Sequence, residues 1–387
     1  MKIIFAGHTP TGGPFVVGSH HLARDLSAQG HKVLHISFPV TPPHLIRLLR
    51  SNLYWRVKNA TFQPKISKIF QENSFISWIP YAACPATVSI SRSFKFNPML
   101  ATIPGFRRAL RNTGFEESDL LIIDHPSWWG LNNYISSFST IYRPTDIYSK
   151  MFPSHWPVLD YEHKILKDSD GIVATSEPVL RTLQARSSWA KPHMILENGV
   201  QADLFSKPLP CPAEFHSVSG RIAIYIGALD ERFDWDLIIR LGIELPQLKI
   251  YLIGPIGISR KKFQLPENVC AVGPKPYESL PAYLHHACVA LLPMNSHPAN
   301  VGRSPMKIYE YLASGAPVVA RHTAELERRN LPGVLLADNS DDFISAVRHV
   351  ISDNFEKPVK LMSETAEKED WKSKATIFLN FAKHVKD

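Results

Sequence analysis

The sequence predicts an α/β protein built from two doubly wound halves, and three observations support this. Short apolar strands alternate with amphipathic helices over residues 3–197. A second series of the same kind occupies residues 221–352. The most linker-like stretch between them carries three closely spaced prolines: Pro208, Pro210 and Pro212. Alternation of strands and helices is typical of parallel sheets covered by helices on both faces.

We therefore expect one domain over residues 1–205 and a second over residues 206–369, with the amphipathic segment 370–387 packing back on the first. The strands predicted in the first domain are 3–6, 32–37, 119–124, 139–143, 171–175 and 194–197. Those predicted in the second are 221–226, 249–253, 269–272, 289–293 and 318–320. The predicted helices are 19–29, 103–112, 160–168, 235–243, 280–287 and 341–352, with Ser176 and Ser340 as helix caps.

Composition limits the class of protein. The 387 residues are 44% hydrophobic, which is enough for two cores, and the four cysteines form no metal-ligand pattern. The first apolar run is too short for a signal peptide, and no run approaches the roughly 20 residues that span a bilayer. We expect a cytoplasmic protein without a bound metal ion or other cofactor.

The positive charge is concentrated in the first half. The net charge is +8, and between Ser27 and Phe115 the only acidic residue is Glu72. Leucine and aromatic residues are interleaved with the basic ones near Arg47, Arg50 and Arg56. This pattern favours peripheral contact with the anionic inner face of a cell membrane. Nucleic acid is the less favoured partner, because no nucleic-acid-binding module accompanies the charge.

The segment 304–320 is the most informative stretch of the chain. Ser304 and Pro305 predict a helix N-terminus, Gly315 ends the helix, and a β-branched strand follows. The unpaired N–H groups of such an N-terminus, with Lys307 in its first turn, suit a diphosphate. Glu310 lies on the same face and suits a ribose diol, so the pattern indicates a nucleotide site. An ordinary surface helix with a Lys–Glu pair is the alternative.

Several motifs resemble those of GT-B glycosyltransferases. They are Gly227-Ala228-Leu229, Gly254-Pro255, Val272-Gly273-Pro274-Lys275-Pro276-Tyr277, the Lys307/Glu310 helix and Leu196-Glu197-Asn198-Gly199-Val200. Within that family the chain is most similar to bacterial envelope and exopolysaccharide enzymes, both xanthan-type glucuronosyltransferases and teichuronic-acid-type enzymes. The resemblance implies a GT-B fold, in which two Rossmann-like domains face a central cleft. It also implies that the nucleotide-binding residues are Gly227, Leu229, Gly273, Pro274, Lys275, Met306, Lys307 and Glu310.

The resemblance also implies catalytic residues. The segment Ile141-Tyr142-Arg143-Pro144-Thr145-Asp146 is similar to the Tyr-Arg-x-x-Asp segment that carries the base in the glucuronosyltransferase family. Asp146 would take the proton of the acceptor hydroxyl, and Lys307 would stabilise the leaving diphosphate. Many retaining enzymes of this fold have a glutamate where this chain has Gly302, so its absence favours inversion.

The expected acceptor contacts follow two strands of the first domain. His8, next to the first strand, is a second candidate for the base, although hydrogen bonding to the glycine loop 12–13 would also explain it. His125, Trp128 and Trp129 follow the strand 119–124. Tryptophans there could stack on a sugar ring, or one of them could belong to the core.

We therefore expect a transferase that moves a sugar from a nucleoside diphosphate, favouring UDP, to a lipid-linked saccharide in polysaccharide biosynthesis. Inversion with Asp146 as base is favoured. Three alternatives stay open: a retaining enzyme of the same fold, a sugar-nucleotide epimerase that needs no acceptor, and a non-catalytic adaptor that binds a membrane or nucleic acid.

Overall fold

The computed structural model consists of two compact units. The first comprises Met1–Glu197, Gly302–Ser304 and Lys372–Asp387, and the second comprises Asn198–Val301 and Pro305–Trp371. The structure describes residues 1–13, 15–46, 54–66, 75–85, 97–152, 156–187, 190–257 and 264–386. The basic residues Arg47, Arg50, Lys68, Arg92 and Lys95 lie outside these ranges.

The boundary between the units differs from the predicted one. It falls after Glu197 and not after residue 205, because Val200 and Phe205 are fully buried in the core of the second unit. The three prolines at 208–212 therefore lie inside that unit. The C-terminal helix spans Trp371–His384, and its residues from Lys372 onward belong to the first unit.

The first unit is built on an eight-stranded sheet. Its order is His193–Ile195, Gly171–Ala174, Ser136–Tyr142, Glu117–Ile123, Lys2–Ala6, Lys32–Ile36, Ile76–Trp78 and Lys65–Ile66. Only the last pair is antiparallel. The central strand is apolar from Ile3 to Ala6 because both of its faces are fully buried. The short strands Tyr81–Ala82 and Thr102–Ile103 form a separate antiparallel pair.

Helices connect the parallel strands of this unit. They are Gly18–Ala28, Pro42–Ile46, Tyr54–Asn59, Phe106–Arg111, Tyr148–Met151, Val158–Asp168 and Glu177–Arg186. Ser176 caps the last of these as predicted, since its side chain accepts a hydrogen bond from the Val179 N–H. Within the described ranges no helix is long and apolar enough to cross a membrane.

The second unit has a parallel six-stranded sheet. Its order is Val269–Gly273, Lys249–Ile253, Ile222–Ile226, Val289–Leu292, Val318–Arg321 and Val334–Ala337. Its helices are Ala202–Phe205, Trp235–Glu244, Leu280–His285, Met306–Ala313, Ala324–Arg329, Ser340–Val350 and Val359–Lys368. Apart from the antiparallel edge pair of the first sheet, both sheets are parallel with helical connections, so the predicted fold class of two doubly wound halves is confirmed.

Two predicted helix starts are wrong. The helix expected to begin at Pro305 begins at Met306, with Pro305 itself at the N-cap position and no side-chain cap. Asn339 caps the helix Ser340–Val350, because its side chain accepts from the Asp342 N–H while Ser340 is already helical. The first error matters for function, because the N-cap residue Pro305 offers no side-chain acceptor to the first backbone N–H groups of this helix.

Candidate functional site

The end of the strand Ile222–Ile226 approaches the side chain of a lysine. A Cβ atom at Gly227 would lie 1.9 Å from Lys307 Nζ and 2.7 Å from Tyr225 Oη. Only glycine, which has no Cβ atom, fits there while the lysine side chain holds its position. The backbone at Gly227 therefore lies directly against the ammonium group.

A second glycine lies against the first. The neighbouring strand Lys249–Ile253 ends at Gly254, where a Cβ atom would lie 1.9 Å from Gly227 O. Gly227 N also donates to Ile253 O at 2.8 Å, which extends the strand pairing by one residue. Two parallel strands thus end side by side without side chains, at the sheet edge where doubly wound folds bind ligands.

Lys307 is held in the first turn of Met306–Ala313. Its Nζ lies 4.8 Å from the centre of the Tyr225 ring, within cation–π range. Tyr225 Oη donates to Ala228 O at 2.9 Å, which fixes that ring. The hydroxyl of Tyr311, on the same helix as Lys307, accepts from Ile226 N at 2.9 Å. Helix and strand end are therefore joined next to the ammonium group.

Glu310 lies one turn after Lys307 and is almost completely buried. Its Oε1 accepts a hydrogen bond from Tyr277 Oη at 3.2 Å. Burial raises the pKa of Glu310 to about 7, and the Lys307 charge and the Tyr277 hydrogen bond only partly oppose that rise. A buried carboxyl group beside an ammonium suits a ligand that brings hydroxyl donors and negative charge together.

This raised pKa predicts a pH-dependent stability. Between pH 5 and pH 8 the folded state binds more protons at Glu310 than the unfolded state, so stability falls as pH rises. Glu310→Gln should reduce the decrease in the free energy of unfolding between pH 5 and pH 8 by roughly 2 to 3 kcal/mol. Urea unfolding at pH 5 and at pH 8 measures this difference. The exposed Glu278→Gln is the control and should follow the wild type. Equal pH dependence in wild type and Glu310→Gln would contradict the assignment.

The other predicted nucleotide contacts are less uniform. Gly273 has a left-handed backbone at φ 77°, Pro274 is exposed and Met306 is partly buried. Lys275 forms an ion pair with Glu214, which also accepts from Tyr283 Oη at 3.0 Å, so its ammonium is already occupied. The side chain of Leu229 is buried in the hydrophobic core and its N–H donates to Pro255 O, and its nucleotide contact stays a prediction.

Asp146 lies in the first unit, in the loop after Ser136–Tyr142. It is partly exposed, and its Oδ2 accepts from Thr145 Oγ1 at 3.1 Å. Arg143, three residues earlier, is fully buried and paired with Asp124 at 3.1 Å. Asp146 thus follows the end of a strand in the first unit, three residues after an arginine that pairs with Asp124.

His8 follows the central strand at the same end of the sheet. Burial lowers its pKa; the negative charge of Asp146 opposes this shift, while Arg56 and Arg143 reinforce it. His8 is therefore uncharged at neutral pH and lies within electrostatic range of Asp146. The His8 and His125 rings lie 5.6 Å apart. His125 is buried, and its Nδ1 accepts from Ser127 N at 3.1 Å, so it caps the turn Pro126–Trp128.

The two tryptophans have different environments. Trp128 is fully buried and donates from Nε1 to Gly7 O at 2.9 Å, so the expected acceptor contact is wrong for this residue. Its indole fills the core below the sheet edge. Trp129 is partly exposed, stacks on Tyr161 with ring centres 5.2 Å apart and lies 3.9 Å from Lys164 Nζ. Its acceptor contact stays a prediction.

Gly302 occupies the position where many retaining enzymes of the resembled fold have a glutamate. A Cβ atom there would lie 2.6 Å from Ile147 Cδ1 and Cγ1, and Gly302 O accepts from Ser176 Oγ at 2.7 Å. The side chain of Ile147 thus fills the space that a longer residue would need. Within the described part of the chain, no group of three His, Cys, Asp or Glu side chains is arranged to hold a metal ion.

Sequence reasoning missed several residues of these sites. Tyr225 and Tyr277 fix Lys307 and Glu310, and Arg56 acts on His8. Glycines that directly follow buried strands were the available signal for the residues around Lys307 and Glu310. No local pattern marked Arg56 as different from the surrounding basic residues.

Residues 221–353 match the family described as Glycosyl transferases group 1. A curated relative, the putative teichuronic acid biosynthesis glycosyltransferase TuaH of Bacillus subtilis (strain 168), is 26% identical over 223 residues. That match covers 54% of this chain and 56% of the relative, so the chain matches little more than half of the relative's length.

Solved structures resemble the whole chain. Sucrose-phosphate synthase from Thermosynechococcus elongatus superposes with a TM-score of 0.70 at 17% identity, covering 99% of this chain and 98% of that one. HepE of Anabaena in complex with UDP-glucose gives a TM-score of 0.67 at 13% identity and 98% coverage of both. At these identities the likeness establishes the fold. Together with the family match, it confirms the predicted resemblance to GT-B glycosyltransferases.

Proposed function

We propose that this chain is a GT-B glycosyltransferase that transfers a sugar from a nucleoside diphosphate to the hydroxyl group of a saccharide acceptor. The observation that supports this best is the contact between Gly227 and Lys307, with the buried Glu310 one turn away. A bare backbone, an ammonium group and a carboxyl group are brought together at the carboxyl end of a parallel sheet. This set matches the chemical groups of a nucleoside diphosphate.

Each group has a role in donor binding. The Lys307 ammonium and the uncapped N-terminus of Met306–Ala313 bind the diphosphate, because both present positive charge. The Glu310 carboxylate accepts hydrogen bonds from the ribose hydroxyls. UDP is the favoured nucleotide, since the structural relative HepE is solved with UDP-glucose. We propose that Lys307 takes the part that a metal ion plays in other transferases.

The proposed reaction inverts the anomeric centre. Asp146 takes the proton from the acceptor hydroxyl, whose oxygen forms a bond to the anomeric carbon. The bond between that carbon and the diphosphate oxygen breaks, and the nucleoside diphosphate leaves with the electron pair next to Lys307. Ile147 supports this assignment, because it occupies the space that a glutamate at position 302 would require.

A lipid-linked saccharide is the proposed acceptor, which would place the enzyme at the inner face of the cell membrane. The relative named for teichuronic acid biosynthesis supports an envelope polysaccharide. Exposed cations of the first unit, Lys58, Lys65, Arg107, Arg108 and Arg111, support contact with an anionic surface.

A panel of nucleotide sugars tests the donor assignment. UDP-sugars should raise the melting temperature more than GDP- or dTDP-sugars, because the donor binds the folded state. Lys307→Met should reduce this increase, while the control Lys249→Met at the start of a strand should keep it. A product with inverted anomeric configuration by NMR supports Asp146 as base, and retention would contradict it. Conversion of the nucleotide sugar without acceptor would indicate an epimerase.

A further inference from the structure

Arg56 is a partly exposed arginine on the short helix Tyr54–Asn59, with its Nε atom turned inward. Its Nη2 donates to the backbone oxygen of His8 at 3.4 Å, which is a long hydrogen bond. Its Nε is buried and has no hydrogen-bond partner among the described residues. Buried guanidinium groups are usually paired, because an unpaired charge taken out of water is costly.

The surrounding charges do not neutralise this arginine. Asp124 is paired with Arg143, and Asp146 accepts from Thr145. Over the described ranges no carboxylate lies within ion-pair distance of Arg56. Burial alone lowers its pKa to about 10, so the guanidinium is still charged at neutral pH. An anion from outside the protein would complete this site.

The helix that carries Arg56 is fixed to the loop after the central strand. Asn59, three residues on, donates from Nδ2 to Gly12 O at 3.4 Å. A Cβ atom at Gly12 would lie 3.2 Å from that nitrogen, so loop and helix pack closely. Arg56 and Asp146 both act electrostatically on His8, which places all three at one end of the sheet.

We propose that Arg56 binds a phosphate group of the acceptor. The proposal rests on the proposed function, because it assigns the first unit to the acceptor. A guanidinium presents two parallel N–H donors that match two phosphate oxygens. With the phosphate at Arg56, the saccharide hydroxyl is directed to the end of the sheet that carries Asp146. The phosphate could come from a lipid diphosphate or from a soluble sugar phosphate.

Phosphate binding is measured by calorimetry with saturating UDP present, so that the Lys307 site is filled. The probes are farnesyl phosphate in detergent and glucose 1-phosphate in buffer, which separate a lipid source from a soluble one. Arg56→Gln should weaken binding of the preferred probe about 10- to 100-fold, the loss expected for charged hydrogen bonds. Lys32→Gln, at the exposed start of the strand Lys32–Ile36 in the same unit, should bind as the wild type does.

Two results would overturn the proposal: neither probe binds the wild type, or Arg56→Gln binds as tightly as the wild type. A separate titration with UDP alone reports donor binding, and the phosphate titrations are repeated without UDP. Phosphate binding that depends on Arg56 in a protein that does not bind UDP would overturn the proposed donor and leave this site standing.

Stability without phosphate provides a second test. If Arg56 serves a ligand, Arg56→Met removes a charged group whose buried Nε has no partner among the described residues, and the melting temperature stays equal or rises. If Arg56 holds the fold together, Arg56→Met lowers the melting temperature, which would overturn the proposal. Arg56→Lys keeps the charge without the paired donors, and its phosphate affinity should lie between wild type and Arg56→Gln.

Discussion

Asp146→Asn is expected to reduce sugar transfer by about 100- to 10,000-fold, the usual contribution of a general base. Asparagine keeps the size of the side chain and its hydrogen bond to Thr145, but it cannot take a proton from the acceptor hydroxyl. Donor binding should be unchanged, because the residues assigned to the donor belong to the second unit. Turnover is measured with the identified donor, and its affinity by calorimetry.

The matched control is Asp160→Asn in the same unit. Asp160 is exposed in the first turn of Val158–Asp168, so its loss should change transfer little. Transfer by Asp146→Asn at a rate close to that of the wild type would reject the base assignment. In that case His8, uncharged at neutral pH and at the same end of the sheet, becomes the base to test.

Gly227→Ala should reduce sugar transfer to an extent comparable to that of Asp146→Asn, because it disturbs the donor site. The new methyl group would lie 1.9 Å from Lys307 Nζ, so the ammonium must leave its position beside the backbone. A loss of turnover of about 100- to 1,000-fold is expected, as when one group that stabilises developing charge is removed. Nucleotide affinity should fall in parallel, and both quantities are measured on the purified variant.

Gly105→Ala is the control for this substitution, since a Cβ atom there meets nothing within 4 Å. It should keep wild-type turnover and melting temperature. In a Lys307→Ala background, Gly227→Ala should cost less than it does alone, because the main clashing group is gone. Full additivity of the two changes would show that the glycine serves some other purpose.

The sequence predicted the features that depend on local periodicity. Alternating apolar strands and helices located both sheets, and spacing placed Lys307 and Glu310 on one helix. Contacts between residues far apart in sequence were not predictable in this way. Tyr277 and Glu310 are 33 residues apart, and Arg56 and His8 are 48 apart. The pair Trp128 and Trp129 shows the same limit, since adjacent identical residues differ only in what the fold packs against them.

The packing of Ile147 against Gly302 constrains how this chain can diverge. An acidic side chain at position 302 would meet the isoleucine, and a smaller residue at 147 without a partner would leave a void. Neither step is tolerated well by itself, so the two positions should change together or not at all. Among homologues, a large aliphatic residue after the aspartate should therefore occur together with glycine at the position of Gly302.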